Sequence, residues 1–364
     1  MPPPLTFADA GGSYNSIMKA ILLLMMLAVP CFPQWIKQNV ITNAAFRGLS
    51  VVNERVVWAS DTGGTVIRTI DGGKTWDVMT VPGAEKLDFR DIDAFDANTA
   101  YILSIGNGES SRIYKTTDGG KNWGLQFKNT NEKAFFDAIA CSRSACMAVS
   151  DPVDGRFLII VQRGDEWVVD EKHWGMLPPT LPGEAAFAAS GTCLIASPSG
   201  RDFFIVSGGS AARVFHGRLG IEGGITWSVS STPFIKGNAG SGIFSIATWG
   251  GNAIIVGGDY EKPNEAINNL AWTKDLSFGT WSMGSGLSGF RSGVAYIDKD
   301  TIVAVGTNGT DISKDAGKTW KKIGDENLNS VAAKGSNAVW AVGPKGFVAR
   351  LGIDLINLLK INPV

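Results

Sequence analysis

A short segment that recurs three times limits the possible folds of this chain more than any other sequence feature. The copies occupy residues 69–76, 116–123 and 313–320, and each reads Ser/Thr-x-Asp-x-Gly-Lys-x-Trp. The Asp side chain can accept hydrogen bonds from its own turn, and Gly tolerates the positive φ that closes such a turn. The Trp that follows buries its ring against a sheet. We therefore predict three hairpin locks with a structural role, carried by Asp71, Trp76, Asp118, Trp123, Asp315 and Trp320.

Weaker copies of the Trp extend the repeat over the whole chain. A strand that begins at or near a Trp recurs at intervals of roughly 40 to 60 residues, a period typical of β-propeller blades with four short strands. The tryptophans of this series are Trp35, Trp76, Trp123, Trp167, Trp227, Trp281 and Trp320. Seven of them predict an all-β, seven-bladed β-propeller. The last copy, residues 330–350, lacks a Trp strand, so we expect the N-terminal Trp35 strand to pair with it and close the ring.

The N-terminus predicts export. Lys19 precedes an apolar run over residues 20–29, which is typical of a secretory signal and too short to span a bilayer. We expect Met18 to be the true start and Cys31 to be a poor lipidation site, because Pro30 precedes it. The predicted domains are an extension with a signal peptide (1–33), the propeller (34–352) and a C-terminal tail (353–364). We expect a periplasmic or extracellular monomer without stable membrane insertion.

Composition excludes several classes of function. A net charge of −1 gives no support to nucleic-acid binding. The only two histidines are His173 and His216, and no Cys spacing resembles a zinc site, so we expect neither a metal nor another cofactor. In an exported protein, Cys141 and Cys146 are candidates for a disulfide across a hairpin. Cys193 is then left over as a small buried hydrophobe.

The repeated Asp-x-Gly-x-Thr-Trp segments resemble Asp-box (BNR) repeats, which occur in sialidases, sortilin-type receptors and photosystem II stability/assembly factors. The segments at residues 47–51, 150–156 and 257–263 resemble exported bacterial propellers of the assembly-factor-like kind. The resemblance covers residues 34–352 and implies the propeller fold. It also implies a non-catalytic binding or assembly scaffold, with a protein segment or small anionic ligand as its partner.

A binding site is expected where the inner strands begin, at the mouth of the central channel. In our alignment the second residues of these strands are Arg47, Arg90, Phe136, Glu184, Ile243, Arg291 and Asn329. Three arginines and a glutamate around a channel can hold an anionic group, because guanidinium grips carboxylate or phosphate at two points. Loops on the same face add further candidates, namely Asp151, Asp154, Arg156, Asp259 and Tyr260. The alternative is that these charges only pair between blades.

A sialidase-type glycoside hydrolase, or a glycan-binding protein, is the second functional hypothesis. Sialidase chemistry needs an arginine triad together with a nucleophile and an acid. Three arginines are available, but no Arg-Ile-Pro signature occurs. Tyr260 and Glu261 are adjacent in sequence, so a strand would point them in opposite directions. An oxidoreductase is disfavoured because no Gly-x-Gly-x-x-Gly strand–helix unit, haem motif or metal spacing is visible. The sequence thus predicts a protein that is not an enzyme.

Overall fold

The structure is a computed structural model that describes residues 1–2, 34–142, 145–169, 176–220, 224–276 and 279–352. The predicted signal peptide, including Met18 and Cys31, and the C-terminal tail lie outside the described residues. Residues 34–352 form seven antiparallel sheets, called blades 1 to 7 in chain order. The innermost strands contact one another in cyclic order, and the inner strand of blade 7 contacts that of blade 1. The seven-bladed β-propeller predicted from the Trp spacing is confirmed.

The first three blades have four strands each, in sequence order from the channel outwards. Blade 1 consists of Gly48–Val51, Val57–Ser60, Thr65–Thr69 and Asp77–Thr80. Blade 2 consists of Phe89–Ala94, Ala100–Ser104, Arg112–Thr116 and Gly124–Lys128, with a 3-10 turn at Gly108–Ser110. Blade 3 consists of Phe136–Cys141, Cys146–Val153, Arg156–Arg163 and Glu166–Val169.

The next three blades repeat this order. Blade 4 consists of Leu194–Ala196, Asp202–Val206, Arg213–Leu219 and Ile225–Ser231. Blade 5 consists of Ser241–Trp249, Asn252–Asp259, Leu270–Thr273 and Ser282–Met283. Blade 6 consists of Gly293–Tyr296, Ile302–Gly306, Gly309–Ser313 and Lys321–Gly324. Two short strands, Glu184–Ala185 and Gly208–Gly209, pair with each other and extend the sheet of blade 5.

Blade 7 closes the ring with a strand from the other end of the chain. Its inner strands are Ser330–Ala333, Val339–Val342 and Val348–Leu351, and its outer strand is Trp35–Lys37. Trp35 pairs with Leu351 in an antiparallel register, as the sequence predicted. The Trp35 ring is buried and its Nε1 donates a hydrogen bond to Thr310 of blade 6 at 2.9 Å. The closing strand is therefore held by two blades.

The three repeated turns share one hydrogen-bond pattern. Asp71 accepts bonds from the Thr75 backbone at 3.0 Å and from the Thr75 hydroxyl at 2.6 Å, and the Thr69 hydroxyl accepts from the Gly73 N–H at 2.9 Å. The turns at Asp118 and Asp315 repeat these contacts. The bond from the Thr75 hydroxyl is the main reason why the pKa of Asp71 falls to about 2. Each carboxylate therefore stays ionised and keeps its turn closed.

The Trp of each turn packs between blades rather than within its own blade. Trp76 of blade 1 meets Trp340 of blade 7 edge to face, with ring centroids 5.7 Å apart. Trp123 of blade 2 meets Trp58 of blade 1 in the same way at 6.4 Å. Such pairs add about 0.5–1.5 kcal/mol beyond their burial. The repeated segment thus joins consecutive blades as well as closing a hairpin.

Candidate binding site

The inner strands begin at one face of the ring, called here the upper face. Three of them contain a β-bulge close to their first residue. In blade 2 the register shifts between Phe89 and Asp91, which leaves Arg90 as the extra residue. The same shift occurs in blade 3 around Asp137 and in blade 5 around Phe244. A bulge redirects a side chain at the end of a sheet. The sequence alignment placed Phe136 and Ile243 at these positions, which was wrong by one residue, because the register shifts make Asp137 and Phe244 the extra residues of their strands.

These strand ends surround a cavity of about 360 Å³ at the upper mouth of the channel. Its walls combine two arginines with a group of aromatic rings. The lining residues are Arg47, Arg90, Phe187, Ala188, Ala189, Phe244, Tyr260, Phe290, Ser292, Thr307 and Asn329. The volume lies at the lower end of the range for ligand pockets, about 300–1,000 Å³, so it suits one or two side chains of a partner.

The arginine side of the cavity holds two neighbouring guanidinium groups, with the carboxylates of Asp88 and Asp61 near Arg47. Arg90 forms an ion pair with Asp88 at 2.8 Å and donates to the Ala188 carbonyl at 3.3 Å. Arg47 donates to the Ala189 carbonyl at 3.1 Å, and no carboxylate among the described residues forms an ion pair with it. Burial, followed by repulsion from Arg90, lowers the pKa of Arg47. The attraction of Asp88 and Asp61 opposes this lowering, and a bound anion would act in the same direction.

The aromatic side of the cavity is a compact apolar wall. Phe187 and Phe244 are stacked in parallel with centroids 3.9 Å apart, and Phe290 meets Phe244 edge to face at 4.7 Å. The Tyr260 ring meets the Phe244 ring edge to face with centroids 6.3 Å apart. Tyr260 is 50% exposed, so it forms the rim of the cavity. The sequence pointed to Tyr260 but missed the three phenylalanines. Phe244 follows Ile243 as Arg90 follows Phe89, and that parallel was the available signal.

Arg291 does not belong to the cavity, contrary to the sequence alignment. The backbone N–H of Ser292 bonds to the second strand of its blade, as do those of Arg47 and Asn329 in their blades. Ser292 is therefore the equivalent residue, and Arg291 lies one position earlier. A shift of one residue moves a side chain to the other face of a strand. The Arg291 guanidinium is fully buried and forms an ion pair with Asp311 at 2.6 Å.

Glu184 was also misplaced by the alignment. The inner strand of blade 4 begins at Leu194, not near residue 185, and Glu184 lies in the connection that precedes this blade. Its buried carboxylate forms an ion pair with Arg213 and accepts a hydrogen bond from the Ser207 hydroxyl at 2.5 Å. Glu184 therefore pairs within the protein and does not line the upper mouth.

The remaining predicted residues lie in the upper loops outside the cavity or act as turn formers. Asp151 accepts a hydrogen bond from the backbone N–H of Ala186 at 3.0 Å, and burial raises the pKa of Asp151 to about 6. Asp154 forms an exposed ion pair with Lys133 at 3.0 Å. Asp259 is buried and accepts hydrogen bonds from the Glu261 backbone N–H at 3.0 Å and from the Asn238 side chain, which precedes the inner strand of blade 5, at 3.1 Å. Arg156 begins the third strand of blade 3 and does not line the cavity. The structure thus brings only Arg47, Arg90 and Tyr260 together.

Neither a metal site nor a membrane-spanning helix occurs among the described residues. They contain no cluster of three or more His, Cys, Asp or Glu side chains with the geometry to hold a metal ion. They also contain no helix of sufficient length and hydropathy to cross a bilayer. A disulfide joins Cys141 to Cys146 across the first hairpin of blade 3, and Cys193 is a free, buried thiol.

Comparison with known proteins finds similarity in structure and not in sequence. No protein-family profile matches the chain, and no curated protein matches it in sequence. A structure of YCF48 bound to a D1 peptide superposes with a TM-score of 0.62 at 18% identity, covering 88% of this chain and 95% of the other. YCF48 from Cyanidioschyzon merolae gives 0.61 at 18% identity, with 88% and 99% covered.

A more distant propeller fits almost as well. The WD40 β-propeller domain of Doa1 gives a TM-score of 0.56 at 11% identity and covers 87% of this chain and 96% of its own. Identities this low show the fold alone. The resemblance to the photosystem II assembly factor-like propellers is thus confirmed for the fold: this chain is a seven-bladed β-propeller similar to YCF48.

Proposed function

We propose that this protein is an exported, non-catalytic propeller that binds a protein segment at the upper mouth of its channel and acts as an assembly scaffold. The observation that carries the proposal is the environment of Arg47, a half-buried guanidinium beside Arg90 that forms no ion pair with a carboxylate among the described residues. A carboxylate of the partner would occupy the arginine side. An apolar side chain next to that carboxylate would pack on Phe244 and Tyr260.

The likeness to YCF48 supports a peptide rather than a free small anion as the partner. One of the similar structures is YCF48 bound to a D1 peptide, so a propeller of similar fold can bind a peptide. The cavity has room for one or two side chains, and the rest of such a segment would lie on the upper loops. A small anion alone would leave the aromatic wall exposed to water. A peptide side chain packed on this wall would add about 25 cal/mol of binding free energy per Å² of apolar surface that it buries.

Export is supported by two independent features. The apolar run at residues 20–29 behind Lys19 is typical of a secretory signal. The disulfide between Cys141 and Cys146 is typical of proteins in oxidising compartments. N-terminal sequencing of protein recovered from outside the cytoplasm of an expressing bacterium tests this part of the proposal. An intact N-terminus and cytoplasmic retention would contradict it.

The binding experiment compares the Arg47→Ala/Arg90→Ala double variant with Arg156→Ala, which removes an arginine from the same face outside the cavity. Each protein is titrated calorimetrically with short peptides that carry a carboxylate next to an aromatic or aliphatic residue, a D1 peptide included, and with the same peptides amidated. We expect the double variant and amidation each to weaken binding at least tenfold, because each removes a charge-assisted bidentate contact of about 1.5–3 kcal/mol. Equal binding by the two variants, or by both peptide forms, would refute the proposal.

The sialidase-type alternative has lost its main support. Its three arginines do not meet, because Arg291 is buried in an ion pair with Asp311 while Arg47 and Arg90 line the cavity. A panel of fluorogenic sialosides tests this directly, and turnover that disappears in the Arg47→Ala variant would overturn the non-catalytic assignment.

A further inference from the structure

The outer strand of blade 4 differs from every other outer strand of the propeller. An outer strand exposes unpaired backbone N–H and C=O groups, and proteins usually protect such edges with charges or by keeping them short. Five of the other six outer strands are three to five residues long and carry a charged residue each, namely Lys37, Asp77, Lys128, Glu166 and Lys321. The sixth, in blade 5, has only two residues. The outer strands of the six other blades are thus protected by a charge or by their short length, and that of blade 4 is not.

In blade 4 the outer strand Ile225–Ser231 is seven residues long and contains neither a charge nor a proline. It pairs along its whole length with the third strand, from Ile225 opposite Leu219 to Ser231 opposite Arg213. Its other contacts in the described part of the chain use side chains, such as the hydrogen bond from the Trp281 indole to the Ser230 hydroxyl at 3.1 Å. The outward main-chain groups therefore have no strand partner there.

We propose that this edge pairs with the same edge of a second copy of this chain, in an antiparallel arrangement around a two-fold axis at Ser228. This arrangement places Ile225 opposite Ser231, Thr226 opposite Ser230 and Trp227 opposite Val229. Hydroxyl pairs such as Thr226 with Ser230 stabilise neighbouring antiparallel strands by about 0.2–1 kcal/mol each. The sequence is therefore complementary to itself, and a two-fold axis makes every contact occur twice.

Charge explains why blade 4 and no other blade is suited to pairing with itself. In each of the five charged outer strands, pairing with a second copy would bring a charged side chain of each copy into the strand pair, and charged side chains on an edge are one of the devices that discourage such pairing. The outer strand of blade 4 brings together only uncharged groups. Trp227 already lies flat on the sheet, since its ring covers Gly217 on the neighbouring strand, so it does not obstruct an approaching edge.

The expected dimer is weak and depends on concentration. One pair of seven-residue strands buries less than the roughly 1,200 Å² typical of stable complexes, so the interface belongs to the transient class. The proposal goes beyond the monomer expected from the sequence. It is also independent of the proposed peptide site, because the edge lies on the outer rim of blade 4 while the cavity lies at the channel.

The test is sedimentation equilibrium of the disulfide-bonded protein from about 10 µM to about 1 mM, a range in which micromolar to millimolar association is visible. The variant Ser228→Lys places two lysines opposite each other at the two-fold axis. The control Gln126→Lys adds the same charge to the outer strand of blade 2, which already contains Lys128. Unchanged circular dichroism and melting temperature establish that both variants are folded.

We expect the wild type and Gln126→Lys to shift towards the dimer mass with concentration, and Ser228→Lys to dissociate at least tenfold more readily. A wild type that remains monomeric at the highest concentration would overturn the proposal. A dimer that persists in folded Ser228→Lys would also overturn it, because the contact would then lie elsewhere on the surface.

Discussion

Replacement of Arg291 by alanine is expected to destabilise the propeller strongly while leaving the peptide cavity intact. The guanidinium donates to Asp311 at 2.9 and 2.6 Å and to Asn308 at 2.6 Å. Both charged side chains are 0% exposed, so Asp311 would remain buried without its counter-charge. Removing one partner of a buried pair costs about 3–5 kcal/mol. At about 2.1 cal/mol/K per residue over roughly 320 residues, this corresponds to a fall in melting temperature of about 4–8 °C.

The assay is thermal unfolding followed by circular dichroism, with urea unfolding as a second measure of stability. Arg156→Ala serves as the surface control and is expected to change the free energy of unfolding by less than about 0.5 kcal/mol. The double replacement Arg291→Met/Asp311→Leu is expected to recover most of the loss, because an apolar pair of similar volume can substitute for a buried ion pair. A loss below about 1 kcal/mol in Arg291→Ala, combined with weakened peptide binding, would refute the burial argument and return Arg291 to the binding site.

Three further predictions concern the repeated turn and the disulfide. A carboxyl NMR titration should give Asp71 a pKa of about 2, which lies below its value in the unfolded chain. The stabilisation from this carboxylate is therefore present above the unfolded pKa and is lost as the pH falls towards 2. A titration midpoint near 4 would contradict this prediction. Gly73→Ala should destabilise the protein by about 1–3 kcal/mol more than Gly83→Ala. Both glycines have positive φ, but only a Cβ at Gly73 would meet a neighbouring indole, at 2.5 Å. Equal losses of stability in the two variants would contradict this prediction. Replacing Cys141 and Cys146 by serine should cost about 2 kcal/mol, the value for a short closed loop, and reductant should lower the melting temperature of the wild type only.

The sequence predicted the blade number and the ring closure because these depend on local signals that recur. Each Trp marks a point where a strand must bury a large ring, and the spacing of such points counts blades without any knowledge of their contacts. Closure followed from a missing partner, since the last repeat lacked the outer strand that the Trp35 segment supplies. Local turn chemistry likewise determined the role of Asp71 and its equivalents.

The binding site was only partly predictable because it depends on register. An alignment of repeats fixes each strand to within a residue or two, which is sufficient to count strands and insufficient to assign faces. Arg47 and Arg90 were placed correctly, whereas Arg291 was placed one residue from the true channel position, Ser292. The bulge that directs Phe244 into the cavity appears in the pairing with the neighbouring strand, and the only hint of it in the sequence is that Phe244 follows Ile243 as Arg90 follows Phe89.

The amino-acid sequence by itself determined that the chain forms seven four-stranded blades closed by its first strand, because periodic burial and turn geometry are properties of short segments. Only the tertiary structure decided which charges face the channel and which pair inside a blade. That decision depends on the side of the sheet to which each side chain points, and one residue of register reverses it. The same reason applies to the outer edges, since only the strand pairing shows that one side of Ile225–Ser231 has no strand partner among the described residues.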